Sequence, residues 1–192
     1  MKGRMRMKFN MKKNNGITMV ALVITIVVLL ILSSIPINAG KRVIKQSELE
    51  NLKTNMMLIK VKGKENLENA NFNLGTTFDK ITDETEKNSR IDKAKQNLKG
   101  TEISNASELS KIMDMTDSKL QEEKSSLIFY YSLSTNDLQD MGMSNVKSDA
   151  KNGRYIIKYD IKNVQIDVYN ESGFENEGNT YYSLSEIENL EI

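Results

Sequence analysis

Three hydrophobic rhythms follow one another along this chain. From Ile17 to Leu32, sixteen residues run almost without a polar break, with only Thr18 and Thr25 interrupting them. As a helix this run is about 24 Å long, and carried on to Ile37 it reaches about 30 Å, the thickness of a bilayer core. Neither Thr is costly in lipid, because its hydroxyl can bond a backbone carbonyl one turn back. Residues 17–37 are therefore expected to form a membrane-embedded helix. Pro36 has no N–H for the Leu32 carbonyl, so it should kink or loosen that helix. A helix end at the membrane face, near Pro36 or Gly40, is the plainer alternative.

From Lys41 the rhythm changes. Leu49, Leu52, Met56, Ile59, Gly63, Leu67 and Ala70 recur at spacings of 3, 4, 3, 4, 4 and 3, with Glu48, Glu50, Lys53, Lys60 and Lys64 off that line. That is a helical seam with one apolar side. Residues 38–70 read as an amphipathic spine packed on a following domain. Gly63 and the short length argue against a coiled coil. An exit turn is expected over Asn69–Gly75.

The rest, residues 71–192, reads as a small globular domain. Residues 76–126 are weakly patterned, with short helices expected around Ile91–Leu98 and Ala106–Met115, the latter capped by Asn105 or Ser107. Leu127–Tyr131 reads as a buried strand, and Thr135–Met141 as a short helix with Asp137 in its first turn and Gly142 as its stop. Then the period becomes two. Tyr155–Ile161 and Val164–Tyr169 alternate as a hairpin joined by Lys162-Asn163, with Val164, Ile166 and Val168 inward and Gln165 and Asp167 outward. Asn170–Asn179 reads as a loop and Tyr181-Tyr182 as a short strand. Ser185 with Glu188 reads as a capping box. The fold class expected is α+β: a long N-terminal helix packed on a small antiparallel sheet with short helices.

Charge sharpens the reading of the N-terminus. The chain has 27 Lys and Arg against 26 Asp and Glu, yet residues 1–16 hold Lys2, Arg4, Arg6, Lys8, Lys12 and Lys13 and no acid. The remainder has 21 basic against 26 acidic residues. A +6 head before an apolar run and a body of about −5 fit a single-pass topology, N-terminus inside and C-terminal domain outside the cytoplasmic membrane. A cytoplasmic flank explains the head, so no nucleic-acid partner is expected.

Cys and His are both absent. Thiol chemistry is excluded, as are the commonest general base and the commonest transition-metal ligand. Ser–Lys catalysis would need a pair that no spacing nominates. No enzyme, cofactor or metal site is expected. Asp79, Asp83, Glu84 and Glu86 read as a solvated helix face. Most of the tyrosines at 130, 131, 155, 159, 169, 181 and 182 read as sheet packing, with an aromatic binding face as the alternative.

The residues leave three readings of the N-terminus open. One is a secretory peptide cut after Ala39, which would release a secreted domain. The second is an uncut anchor holding a monomeric extracellular binding module. The third depends on Gly16, which neither of the others requires. Lys12-Lys13-Asn14-Asn15-Gly16-Ile17-Thr18-Met19-Val20-Ala21-Leu22 resembles the class III leader of type IV pilins and type II secretion pseudopilins. Lys53–Lys64 and Tyr181–Ser185 resemble pilin-like proteins of clostridia-type bacteria.

The resemblance implies that residues 1–16 are a leader cut by a prepilin peptidase between Gly16 and Ile17, with N-methylation of Ile17. It implies a retained apolar helix that forms a filament core, with Pro36 at the family's kink. The implied partners are other pilin-like subunits, an assembly platform with its ATPase, and membrane lipid before assembly. The product would be an extracellular filament. Where the family has a register-setting glutamate, this chain has Ala21, as some minor subunits do, so a minor structural subunit is expected. Some pseudopilins bind Ca²⁺ near the C-terminus. Here Asn170, Glu171, Glu175, Asn176 and Glu177 match no EF-hand spacing, so Ca²⁺ binding in Asn170–Asn179 is left open and the plainer reading is a solvated loop.

Overall fold

The computed structural model describes residues 15–190, with the side chains of 15–18, 20 and 31–39 outside the description. The described chain is α+β: one long helix, a five-stranded antiparallel sheet and several short helices. It divides into two compact units, residues 1–45 and 46–192. The boundary falls inside the 38–70 stretch.

Helix α1 (Asn15–Leu74) is 60 residues long. In the first unit it covers residues 15–45; of the leader expected over residues 1–16, residues 1–14 lie outside the described residues. The helix passes through Pro36 and Gly40, so neither residue ends it. Thr25 Oγ1 donates to the Leu22 carbonyl at 2.8 Å, the one-turn back-bond expected of a Thr in apolar surroundings. Among the described residues no helix is long and apolar enough to cross a membrane. Many side chains of the 17–37 run are outside that description.

In the second unit α1 lies on the sheet and continues to Leu74, so the helix overruns the expected exit turn. Leu74 adds one more buried rung to the seam. Gly75 then stops the helix with φ +83°, its N–H donating to the Asn71 carbonyl.

The sheet order follows the chain: β1 (Thr101–Glu102), β2 (Ile128–Leu133), β3 (Tyr155–Asp160), β4 (Gln165–Asn176) and β5 (Asn179–Ser183). Phe129 lies opposite Tyr159, and Tyr159 opposite Ile166. The pleat separates two cores. Phe129, Tyr131, Leu133, Tyr155, Ile157, Tyr159 and Val168 join the α1 seam in one cluster. Tyr130 and Ile156, from the opposite face, pack with Ile103, Leu109, Ile112 and Leu120. Both faces of β2 and β3 are thus covered, which is why Phe129-Tyr130-Tyr131 reads as an unbroken apolar run.

The weakly patterned middle departs most from expectation. α2 (Glu84–Lys95) begins seven residues earlier than the Ile91–Leu98 helix, because the Asp83 carboxylate accepts the Thr85 and Glu86 amides as N-cap. Ala106–Met115 is not a helix. Asn105 does cap it, but only a 3₁₀ turn at Ala106–Glu108 follows, and the regular helix is α3 (Asp117–Ser125), capped by Thr116. By contrast α4 (Thr135–Asp140) forms as expected, with a Ser134–Asp137 capping box and Gly142 at φ +82°.

Three further expectations are corrected. Asn170–Asn179 is not a loop. β4 runs through to Asn176 with a bulge between Tyr169 and Phe174, and Glu177-Gly178 turns into β5. Both turn residues have positive φ, 51° and 83°, the two-residue turn that matches strand twist. The terminal capping box is Ser183 with Glu186, not Ser185 with Glu188, because the last residue of β5 is itself the N-cap; α5 (Leu184–Ile187) follows it. The β3–β4 turn is also longer than Lys162-Asn163. Asp160 pairs with Gln165, so Ile161–Val164 form the turn, with Val164 at φ +54°.

Candidate functional site: the spine helix and the cleft beside it

The part of α1 in the second unit carries two opposed apolar lines. The inner one is Leu49, Met56, Ile59, Leu67, Ala70 and Leu74, all buried, with Leu52 half-buried. Gly63 sits at its centre for a reason of space. A Cβ there would lie 2.6 Å from Ile157 Cδ1 and 3.3 Å from Ile166 Cδ1, so the helix backbone touches the sheet at this point. Two polar ties flank the contact. Asn71 Nδ2 donates to the Ile161 carbonyl at 2.8 Å, and Lys53 Nζ to the Leu190 carbonyl at 2.9 Å.

The outer line is Met57, Leu58, Val61 and Phe72, exposed by 49%, 44%, 68% and 83%. At about 3.6 residues per turn these positions fall on the side away from the seam. Large apolar side chains aligned on one helix face mark an interaction surface more often than scattered ones do. In the sequence this line is masked by the stronger seam, and its one signal is Met57, Leu58 and Val61 standing among lysines.

In the first unit, Leu22, Val23, Ile24, Ile26, Val27, Val28, Leu29 and Leu30 are all exposed. Consecutive residues point in every direction around a helix, so this stretch is apolar around its whole circumference. Ala21 is exposed on it. The backbone of Gly16 and Ile17 lies in the first turn of α1, while their side chains and that of Pro36 are outside the described residues.

The charged groups are mostly spent on structure. Asp79 pairs with Lys162, Glu84 with Lys87 and Glu86 with Arg90, and Asp83 is a helix cap. Glu171 takes a two-pronged contact from Arg154, at 2.9 and 2.6 Å. Among the described residues no group of three or more carboxylates could hold a metal ion. The densest cluster was not foreseen. Glu102 on β1 meets Lys95 from α2 at 2.5 Å and Lys124 from α3 at 3.2 Å. Burial opposes ionisation of Glu102, but the two ammonium groups outweigh it and hold its carboxyl below the usual range. Tyr130, Tyr131, Tyr155 and Tyr159 are buried and Tyr169, Tyr181 and Tyr182 half-buried. For the first four, the packing reading holds.

Beside the spine lies an open cleft of about 360 Å³, reached from Lys60 across Gln165, Ile166 and Asp167 to Lys158 and Tyr169. A neighbouring hollow is lined by Lys60, Lys64, Val164, Gln165 and Ile166. Ser185 also lines the first, and among the described residues its hydroxyl is bonded to Ser183 and to neither Lys60 nor Lys158. No protein-family model, no curated protein and no solved structure matches this chain.

Proposed function

We propose that the protein is a structural subunit, of the minor kind, of a type IV pilus or type II secretion-like pseudopilus. The observation that carries the reading is the run from Lys12 to Leu22, which resembles a prepilin leader and opens directly into α1. Two features support it. One is the apolar circumference of residues 22–30; the other is the exposed line Met57, Leu58, Val61 and Phe72 behind a sheet-packed seam. A helix with these two surfaces needs lipid before assembly and neighbouring subunits after it.

In this reading the basic head holds the precursor N-in while the body crosses the cytoplasmic membrane. A prepilin peptidase cuts between Gly16 and Ile17, Ile17 is methylated, and the helix leaves the bilayer sideways. Its apolar surface then exchanges lipid for the same surface on other subunits. That exchange is nearly neutral, so packing, register contacts and the platform's ATPase must drive it. With Ala21 in place of a glutamate, register rests on steric fit and on contacts between globular domains. Pro36 supplies the bend.

The test is the mature N-terminus, determined by mass spectrometry on protein from its native host. A chain beginning at Ile17 with an N-methyl group supports the filament. A start at Met1 or Lys2 removes it and leaves a membrane-anchored binding module. A start at Gly40 means a secreted domain.

A further inference from the structure

Part of the β4 edge has no strand partner, although α5 packs against β4 as well as β5. β5 pairs with β4 only from Tyr169 onward, so Gln165–Val168 have β3 on one side and no strand on the other. The ladder shows which groups face outward. Glu171 N–H donates back to Arg154, on the β3 side, and odd-numbered residues of β4 share that direction. Val168 N–H instead donates to the Asp167 carboxylate at 2.9 Å. The N–H and C=O of Ile166 therefore face the open side, and no partner is seen for its N–H among the described residues.

The other edges, among the described residues, are short or capped at one end. β1 has two residues, and Ile103 N–H takes the Tyr130 carbonyl just beyond it. At the end of β5, the Tyr182 and Ser183 amides both donate to Glu186. Proteins usually blunt edges in this way. The β4 edge has only Asp167, and it begins at Val164, a β-branched residue held at φ +54°.

The two walls beside this edge differ in charge. On the spine side, Lys60 and Lys64 are exposed one helical turn apart and line the hollow with Val164 and Ile166. Neither has an ion-pair partner among the described residues. On the far side stand Asp160, Asp167 and Lys158, the last paired with Glu123 at 3.4 Å. Asp160 is taken up by the Asn163 amide and side chain. A strand added here would present alternate side chains to opposite walls. One set would meet two ammonium groups without an ion-pair partner; the other would meet the Asp167 carboxylate, which has an oxygen left to accept a hydrogen bond.

We infer that the open edge of β4 takes an extended peptide strand from another protein, with carboxylates at the alternate positions facing Lys60 and Lys64 and hydrogen-bond donors at the others. Main-chain bonds to Ile166 supply adhesion, and the lysines supply selection. The inference stands on the second unit alone and is independent of how the N-terminus is processed.

The probe is the labelled peptide acetyl-Thr-Glu-Thr-Glu-Thr-Glu-Thr-amide, titrated by fluorescence anisotropy against the full chain in mild detergent. Saturable binding is expected, together with slowed hydrogen exchange of the Ile166 amide. A Lys-for-Glu peptide should bind at least about fivefold more weakly. A peptide with the same side chains but N-methylated amides should not bind. The variant Lys60→Glu/Lys64→Glu should reverse the order of the two charged peptides; if its circular dichroism shows a disturbed fold, Lys60→Gln/Lys64→Gln should abolish the preference instead. Absent binding, equal binding of the N-methylated peptide, or unchanged exchange at Ile166 would each overturn the inference.

Discussion

Tyr159 is wholly buried, and among the described residues its hydroxyl has no partner in hydrogen-bond geometry. Burial pushes its ionisation far up, and only the main chain of Lys99 tempers this. The ring is what the site uses: it packs edge-on against Tyr131 at 5.6 Å and comes within 3.6 Å of the Cβ position of Gly63. A buried hydroxyl that makes no bond is a net cost. Tyr159→Phe should therefore leave stability unchanged or raise it by up to about 1 kcal/mol, read from urea unfolding; a loss beyond that would reveal a working partner. Gly63 makes the opposite case. A leucine there must displace Ile157 and Ile166 from a filled core, so Gly63→Leu should cost about 1–3 kcal/mol or more in the same assay. Glu102 adds a pH dependence. Its carboxyl titrates lower in the fold than in the open chain, so its stabilisation is complete above the unfolded value, near 4.5. It is lost as pH falls through the lower folded value. Glu102→Gln should cost on the order of 1 kcal/mol at neutral pH and progressively less in acid. An unchanged pH profile would mean that Lys95 and Lys124 do not hold the carboxylate.

At the scale of elements, the β4–β5 hairpin offers a clean change. Glu177 is exposed at φ +51° ahead of Gly178, where a side chain with a Cβ is strained and asparagine is tolerated best. Glu177→Asn should stabilise the domain by about 0.5–1 kcal/mol, a rise of a few degrees in Tm; a fall would mean that Glu177 has a role the turn does not explain. The same hairpin shows what could be read in advance. The spine seam and the β3 and β4 alternation were legible because each repeats a period long enough to recognise, and α4 because Asp137 and Gly142 mark its two ends. The turn was not, since Glu-Gly is a weaker signal than Asn-Gly and Asn170–Asn179 is rich in loop-forming residues. Residues 76–126 failed for another reason. Their positions are set by caps at Asp83, Asn105 and Thr116 and by tertiary pairing of Glu102, not by any apolar rhythm. The cleft beside β4 depends on where β5 stops pairing, which no local pattern encodes.

For the molecule as a whole, the proposal makes different demands on the two sides of the spine, and these can be separated. Ile59, buried in the seam, holds the globular unit together; Val61, two residues on, is 68% exposed and touches little of its own chain. Ile59→Lys should place an unpaired charge in the core and cost several kcal/mol, leaving little folded protein. Val61→Lys should change stability by no more than about 0.5 kcal/mol, because a lone surface residue has little to lose. In a filament, however, the same lysine would be set against the apolar surface of another subunit, where desolvating it is costly. Val61→Lys should therefore keep wild-type unfolding behaviour and cellular abundance while its share in sheared filament fractions falls at least about tenfold. A monomeric anchored module predicts no such loss, since its outer spine face meets only water. Equal recovery of Val61→Lys and wild type from the filament fraction would defeat the assembly role assigned to this face, whatever the fate of the leader.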